Sequence, residues 1–256
     1  MASVERPDGA RIAFDVAGDP RRPPLLLLGG IGGDAPTWRR DIPKLASELF
    51  VVVVDHRGIG RSDAPDEPTT ITMYVDDALA ALDELRVDRA HVYGHSFGSL
   101  VALELALEHP ERVRSVIVGA GRPGRSHSIR SRGRAQLGRL WEQLYSEAFV
   151  AEHPEEIEAD RRATVRRPPG ERRQAEAAKG WDPRERLGEL RVPMLILQGS
   201  ADRLVDPENA RILAREIPGA ELVLLQGAGH AYHSEMPERA DDAVLNFVRR
   251  HRDGER

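Results

Sequence analysis

Apolar and polar side chains alternate over residues 11–17 (RIAFDVA), the period of a strand with one face covered. Gly18, Asp19 and Pro20 break it. Residues 25–28 (LLLL) and 51–54 (VVVV) are apolar at every position. Such a strand is covered on both faces, as in a sheet sandwiched between helices. Residues 91–93, 115–118, 194–197 and 222–225 are further short apolar runs that read as strands. Helical spacing lies between them. Residues 73–85 place Val75, Leu79, Leu82 and Leu85 on one stripe, and residues 99–108 do the same with Leu100, Leu103 and Leu107. Residues 207–217, opening on Pro207, and 240–250 complete the set. Strand and helix in alternation predict an α/β fold with a mostly parallel sheet and right-handed crossovers.

The alternation stops over residues 121–190, where no strand pattern appears. Residues 136–150 predict a helix with Leu137, Leu140, Leu144 and Ala148 on one side. Residues 155–167 predict a charged helix, which Arg167-Pro168-Pro169-Gly170 breaks. The expected organisation is a core of residues 1–120 and 191–256, interrupted by a helical insertion over 121–190.

Composition narrows the function. The chain of 256 residues carries 37 basic and 42 acidic residues, a net charge of −5 that argues against nucleic acid as a partner. The charge is uneven. Residues 122–191 hold 16 basic and 12 acidic residues, +4, which leaves 21 and 30, or −9, for the rest. A basic insertion is either a solvated helix surface or a device that favours an anionic substrate. With no cysteine, disulfides, thiolate metal sites and a cysteine nucleophile are excluded. The longest apolar runs are far short of the ~20 residues of a membrane helix. The N-terminus shows no apolar secretion segment, so the expected location is the cytoplasm.

Gly94-His95-Ser96-Phe97-Gly98 follows the strand at 91–93 and opens the helix at 99–108. A G-x-S-x-G sequence in that context is a sharp turn that presents the serine hydroxyl, with a helix N-terminus aimed at developing negative charge. A serine needs a base. His230, in Gly227-Ala228-Gly229-His230, falls just after the strand at 222–225, at the carboxyl edge where ligands bind in open α/β sheets. Asp202 follows the strand at 194–197 and would orient that histidine. Asp206 is the rival, but it directly precedes Pro207 and reads as a helix cap. Residues 119–124 offer no carboxylate. The order Ser96, Asp202, His230 differs from the chymotrypsin and subtilisin orders. No spacing of histidines suggests a metal site.

On these motifs the chain resembles the α/β-hydrolase fold superfamily, specifically its small serine esterase, enol-lactonase and perhydrolase-like branch. Residues 25–33 (LLLLGGIGG) resemble the strand and oxyanion loop of that family. Residues 55–62 (DHRGIGRS) resemble its D-x-R-G-x-G-x-S loop. The resemblance implies a helical cap inserted after the sixth strand. It also implies an oxyanion hole formed by the N–H groups of Ile31 and Phe97. Gly29 stands where the family has a histidine that supports the oxyanion loop, which puts the rigidity of that loop in doubt. His56 and Arg57 are expected to be architectural, and His95 to pack beneath the turn at Ser96. The resemblance implies a serine hydrolase acting on a small carboxylic ester or lactone, a small-molecule substrate, no cofactor and no metal. It leaves open C–C hydrolysis, thioester hydrolysis, lyase or cyclase chemistry, perhydrolysis, a non-catalytic binding role, and monomer against homodimer.

Overall fold

The structure is a computed structural model that describes residues 2–64, 67–126, 128–129 and 140–252. Eight strands form one sheet: β1 (Ala2–Glu5), β2 (Arg11–Ala17), β3 (Pro24–Leu28), β4 (Phe50–Val54), β5 (Ala90–His95), β6 (Val113–Gly119), β7 (Met194–Gly199) and β8 (Glu221–Leu225). Their order is β1-β2-β4-β3-β5-β6-β7-β8. The pairings of β1 with β2 and of β2 with β4 are antiparallel, and all the others are parallel. Seven strands were legible in the apolar pattern. The eighth, β1, is a short edge strand whose side chains are mostly exposed.

The all-apolar strands bury both faces. Leu26, Leu28, Val52, Val54, Val92 and Ile196 point into one core layer, together with helices α2 (Ile71–Glu84), α3 (Phe97–Glu108) and α8 (Glu208–Glu216). Leu25, Leu27, Val51, Val53, Tyr93 and Leu195 point into the other, against α1 (Ile42–Leu45) and the C-terminal helix α9 (Pro237–Arg250). Adjacent residues of a strand face opposite ways, so one run of leucines or valines serves both layers. Thr70 caps α2, its hydroxyl accepting from the N–H of Met73 at 3.3 Å.

Between β6 and β7 the chain forms α4 (Leu140–Leu144), α5 (Glu147–Glu152), α6 (Pro154–Ala163) and α7 (Pro168–Gly180), with a 3-10 turn at Arg184–Glu189 and no strand among the described residues. Three details differ from the sequence pattern. The helix expected over 136–150 is two described helices, because Ser146 leaves the helix to cap α5 and its N–H donates to Glu235 at 2.8 Å; residues 136–139 lie outside the described residues. The charged helix ends at Ala163 rather than Arg167. The Pro-Pro pair read as a break instead opens α7, since proline suits a first helical turn whose N–H groups need no partner. No described helix is long and apolar enough to cross a membrane.

Candidate active site

Parallel strands deliver their carboxyl ends to one edge of the sheet, and the turns after β5, β7 and β8 meet there. Ser96 is the single residue between β5 and α3. Its backbone is held at φ +54° and ψ −111°, a conformation that costs a non-glycine residue about 1–3 kcal/mol. Flanking glycines make the turn possible. A Cβ on Gly94 would collide with the carbonyl oxygen of Gly98, and one on Gly98 with that of Leu28. The Ser96 N–H is tied to the Gly119 carbonyl at 2.7 Å, and its own carbonyl accepts the Ser99 hydroxyl at 2.5 Å. The N–H of Phe97, first residue of α3, has no acceptor within the helix.

Asp202 and His230 are brought together, both buried. His230 Nδ1–H donates to Asp202 Oδ2 at 2.8 Å. The other carboxylate oxygen, Oδ1, accepts the N–H groups of Leu204 and Val205 at 2.7 and 2.8 Å, and the Gln198 amide adds a fourth bond to Oδ2 at 2.8 Å. These bonds fix the carboxylate and leave His230 Nε2 as the free ring nitrogen. Asp206 is not part of this cluster, since it accepts the Glu208 N–H at 3.0 Å as a cap of α8. His95, the residue before Ser96, donates from Nε2 to the His230 carbonyl at 3.0 Å, and the two rings lie 5.0 Å apart, edge to face. Burial, with His233 and His230 beside it, holds the His95 pKa well below the usual imidazole value, so the strut is uncharged.

The third loop follows β3. Gly33 N–H bonds to the Gly30 carbonyl at 3.0 Å, closing a turn with Ile31 and Gly32 at its centre. Gly32 has φ +74°, the third-position conformation of a type II turn that calls for glycine. Gly30 packs against the Cβ of Ser96, which sets this turn beside the serine. Ile31, Ser96 and Phe97 line one cavity of about 450 Å³.

The profile of the alpha/beta hydrolase family matches residues 25–243. The chain belongs to that family. It is similar to RutD of Azorhizobium caulinodans, named for carbamate hydrolysis, with 33% identity over 88% of this chain and 90% of the relative. Among solved structures it is similar to Est816, described as an N-acyl homoserine lactone degrading enzyme, with a TM-score of 0.84 and 29% identity over 96% of this chain and all of the other. It is also similar to a thermophilic esterase from Thermogutta terrifontis, with a TM-score of 0.87 and 26% identity over 98% of this chain and all of the other. Hydrolysis is accordingly the class of chemistry the chain belongs to, and the shared fold is the alpha/beta hydrolase fold.

The loop after β3, which opens on Gly29, is held by two side chains. His56 Nε2–H donates to the Gly29 carbonyl at 3.2 Å; burial lowers its pKa to about 4, so the ring is neutral. Gln174, from α7 of the inserted segment, accepts the Gly32 N–H at 2.9 Å and is fully buried. Sequence reasoning missed Gln174, which sits on a charged helix with no motif around it. Arg57 is architectural in its contacts, gripping Asp77 at 2.6 and 2.7 Å and Asp8 at 2.9 Å. No group of three or more His, Cys, Asp or Glu suited to hold a metal occurs among the described residues.

Proposed function

We propose that the chain is a serine hydrolase that cleaves a small carboxylic ester or lactone through an acyl-enzyme on Ser96. The observation that carries this reading is the buried His230–Asp202 bond, with His230 held by His95, the residue that precedes a serine at positive φ. With Nδ1–H committed to Asp202, His230 Nε2 takes the proton of Ser96 Oγ as that oxygen attacks the carbonyl. The N–H groups of Ile31 and Phe97 take the oxyanion. His230 then passes the proton to the departing alkoxide. In the second half it takes a proton from water, which attacks the acyl-enzyme, and returns it to Ser96 as the acid leaves. The segment 121–190 acts as a cap over this edge, and with the core of 1–120 and 191–256 encloses the substrate.

A carbamate is the second reading, favoured by the likeness to RutD. It uses the same acyl transfer, with His230 delivering its proton to nitrogen instead of oxygen. A fluorophosphonate probe followed by mass mapping is expected to label Ser96. Wild type is expected to hydrolyse p-nitrophenyl acetate and Ser96→Ala to lose that turnover; equal rates in the two would sink the proposal. A panel of linear esters, lactones and carbamates separates the readings.

A further inference from the structure

Four arginines of the inserted segment are spent on carboxylates. Arg161 and Arg162 pair with Glu158, Arg166 with Glu171, and Arg186 with Glu108 and Glu189. Among the described residues, three cations line the cavity beside Ser96, Arg122, Arg125 and Lys179, and no carboxylate does. Arg125 and Lys179 have no ion-pair partner among the described residues. The three cations sit on two stretches of chain that are tied together. Arg122 donates to the Ala178 carbonyl at 2.8 Å, one residue before Lys179, and the Ser126 N–H donates to Asp182 at 2.9 Å. Asp182, the acid at this junction, is thereby occupied by backbone and does not face the cavity. Much of the remaining wall is apolar, with Phe97, Leu100, Ala178 and Val205.

We propose that the substrate carries a carboxylate in addition to the bond that is cleaved, and that Arg125 and Lys179 hold it. Like charges gathered around an apolar cavity repel one another and attract an anion, and a low-dielectric wall strengthens the attraction. Part of the positive charge of the insertion is thus gathered at this cavity. This inference rests on the hydrolase reading for the bond that breaks, but not for the binding of the anion.

Two substrate pairs test it: monoethyl adipate against ethyl hexanoate places the charge on the acyl side, and 4-acetoxybenzoate against phenyl acetate places it on the leaving group. The expected result is a kcat/KM ratio that favours the anionic member of at least one pair. Exposed ion contacts are modest, so Arg125→Gln and Lys179→Gln each lower that ratio about threefold, and together about tenfold. Added salt erodes the preference, because charges at the cavity mouth are screened. Arg161→Gln, on the ion-paired surface, leaves the ratio unchanged. A second readout is independent of turnover: calorimetric binding of monoethyl adipate to Ser96→Ala, expected to exceed that of ethyl hexanoate and to weaken in the Arg125→Gln, Lys179→Gln background. Ser96-dependent turnover with no anionic preference, indifferent to both glutamine variants, overturns the inference and leaves the hydrolase reading standing. Selective binding of the half-ester without turnover upholds the anion site and counts against the hydrolase reading.

Discussion

Gln174→Leu separates the role of the inserted segment in catalysis from its role in packing. Leucine keeps the volume and removes the acceptor of the Gly32 N–H. That N–H, left buried without a partner, costs about 1–3 kcal/mol. The glutamine also has a buried Nε2 without an acceptor among the described residues, and deleting it returns a similar amount. The net change in stability therefore stays within about 2 kcal/mol, or about 4–8 °C in Tm for a chain of this size. Turnover responds more strongly. In the proposed mechanism the Ile31 N–H, one peptide before that of Gly32, is an oxyanion donor, and loss of such a donor outright costs roughly 10²–10³ in kcat. A donor that persists on a loosened loop is expected to cost about 10–10². The fall belongs in kcat, with KM changing less than about threefold, because the donor acts on charge present only in the transition state. Gln174→Glu, which keeps an oxygen at the same reach, is expected to recover at least about half of the lost activation energy, and the shorter Gln174→Asn is not. Steady-state kinetics on an ester and thermal unfolding decide it. A Gln174→Leu protein with normal kcat, or one whose loss lies wholly in KM, refutes the reasoning.

Two further predictions follow from buried carboxylates. In Asp202→Asn the amide oxygen stays on the N–H groups of Leu204 and Val205, so the Nδ2 donor replaces Oδ2 and faces His230 Nδ1. That selects the tautomer with Nε2 protonated and useless as a base, and kcat measured at neutral pH is expected to fall about 10⁴-fold with the protein still folded; a fall under tenfold would refute the role given to Asp202. Asp241, buried beside Asp41, has its pKa raised from 3.8 to about 8 by burial and by that neighbour's charge. A carboxyl raised on folding contributes stability that is complete below pH ~4 and lost as pH rises through ~8. Asp241→Asn should therefore flatten the decline in Tm between pH 5 and pH 9, and an unchanged slope would count against a proton held at this pair.

Legibility in the sequence tracked the range over which each feature is decided. The strands at 25–28 and 51–54 were readable because both of their faces are buried, which writes an unbroken apolar run. The strand Ala2–Glu5 was not, because four mostly exposed residues at a sheet edge carry no run at all. The turn at Ser96 was readable because its two glycines answer to collisions within a few residues of themselves. Asp202 and His230 were placed by the strands just before them, a local argument that predicts an edge of the sheet but not the 2.8 Å bond. Gln174 lay beyond that reach. Its partner is 142 residues away, and nothing in the helix around it marks the position. Charge behaves the same way. A surplus of four in the inserted segment is a sum, and a sum does not say which cations have partners. Pairing is settled by tertiary contacts, such as Arg186 with Glu108 across 78 residues. Nor does a sum say where a cation lies: three of them, Arg122, Arg125 and Lys179, share the cavity that Ser96 lines.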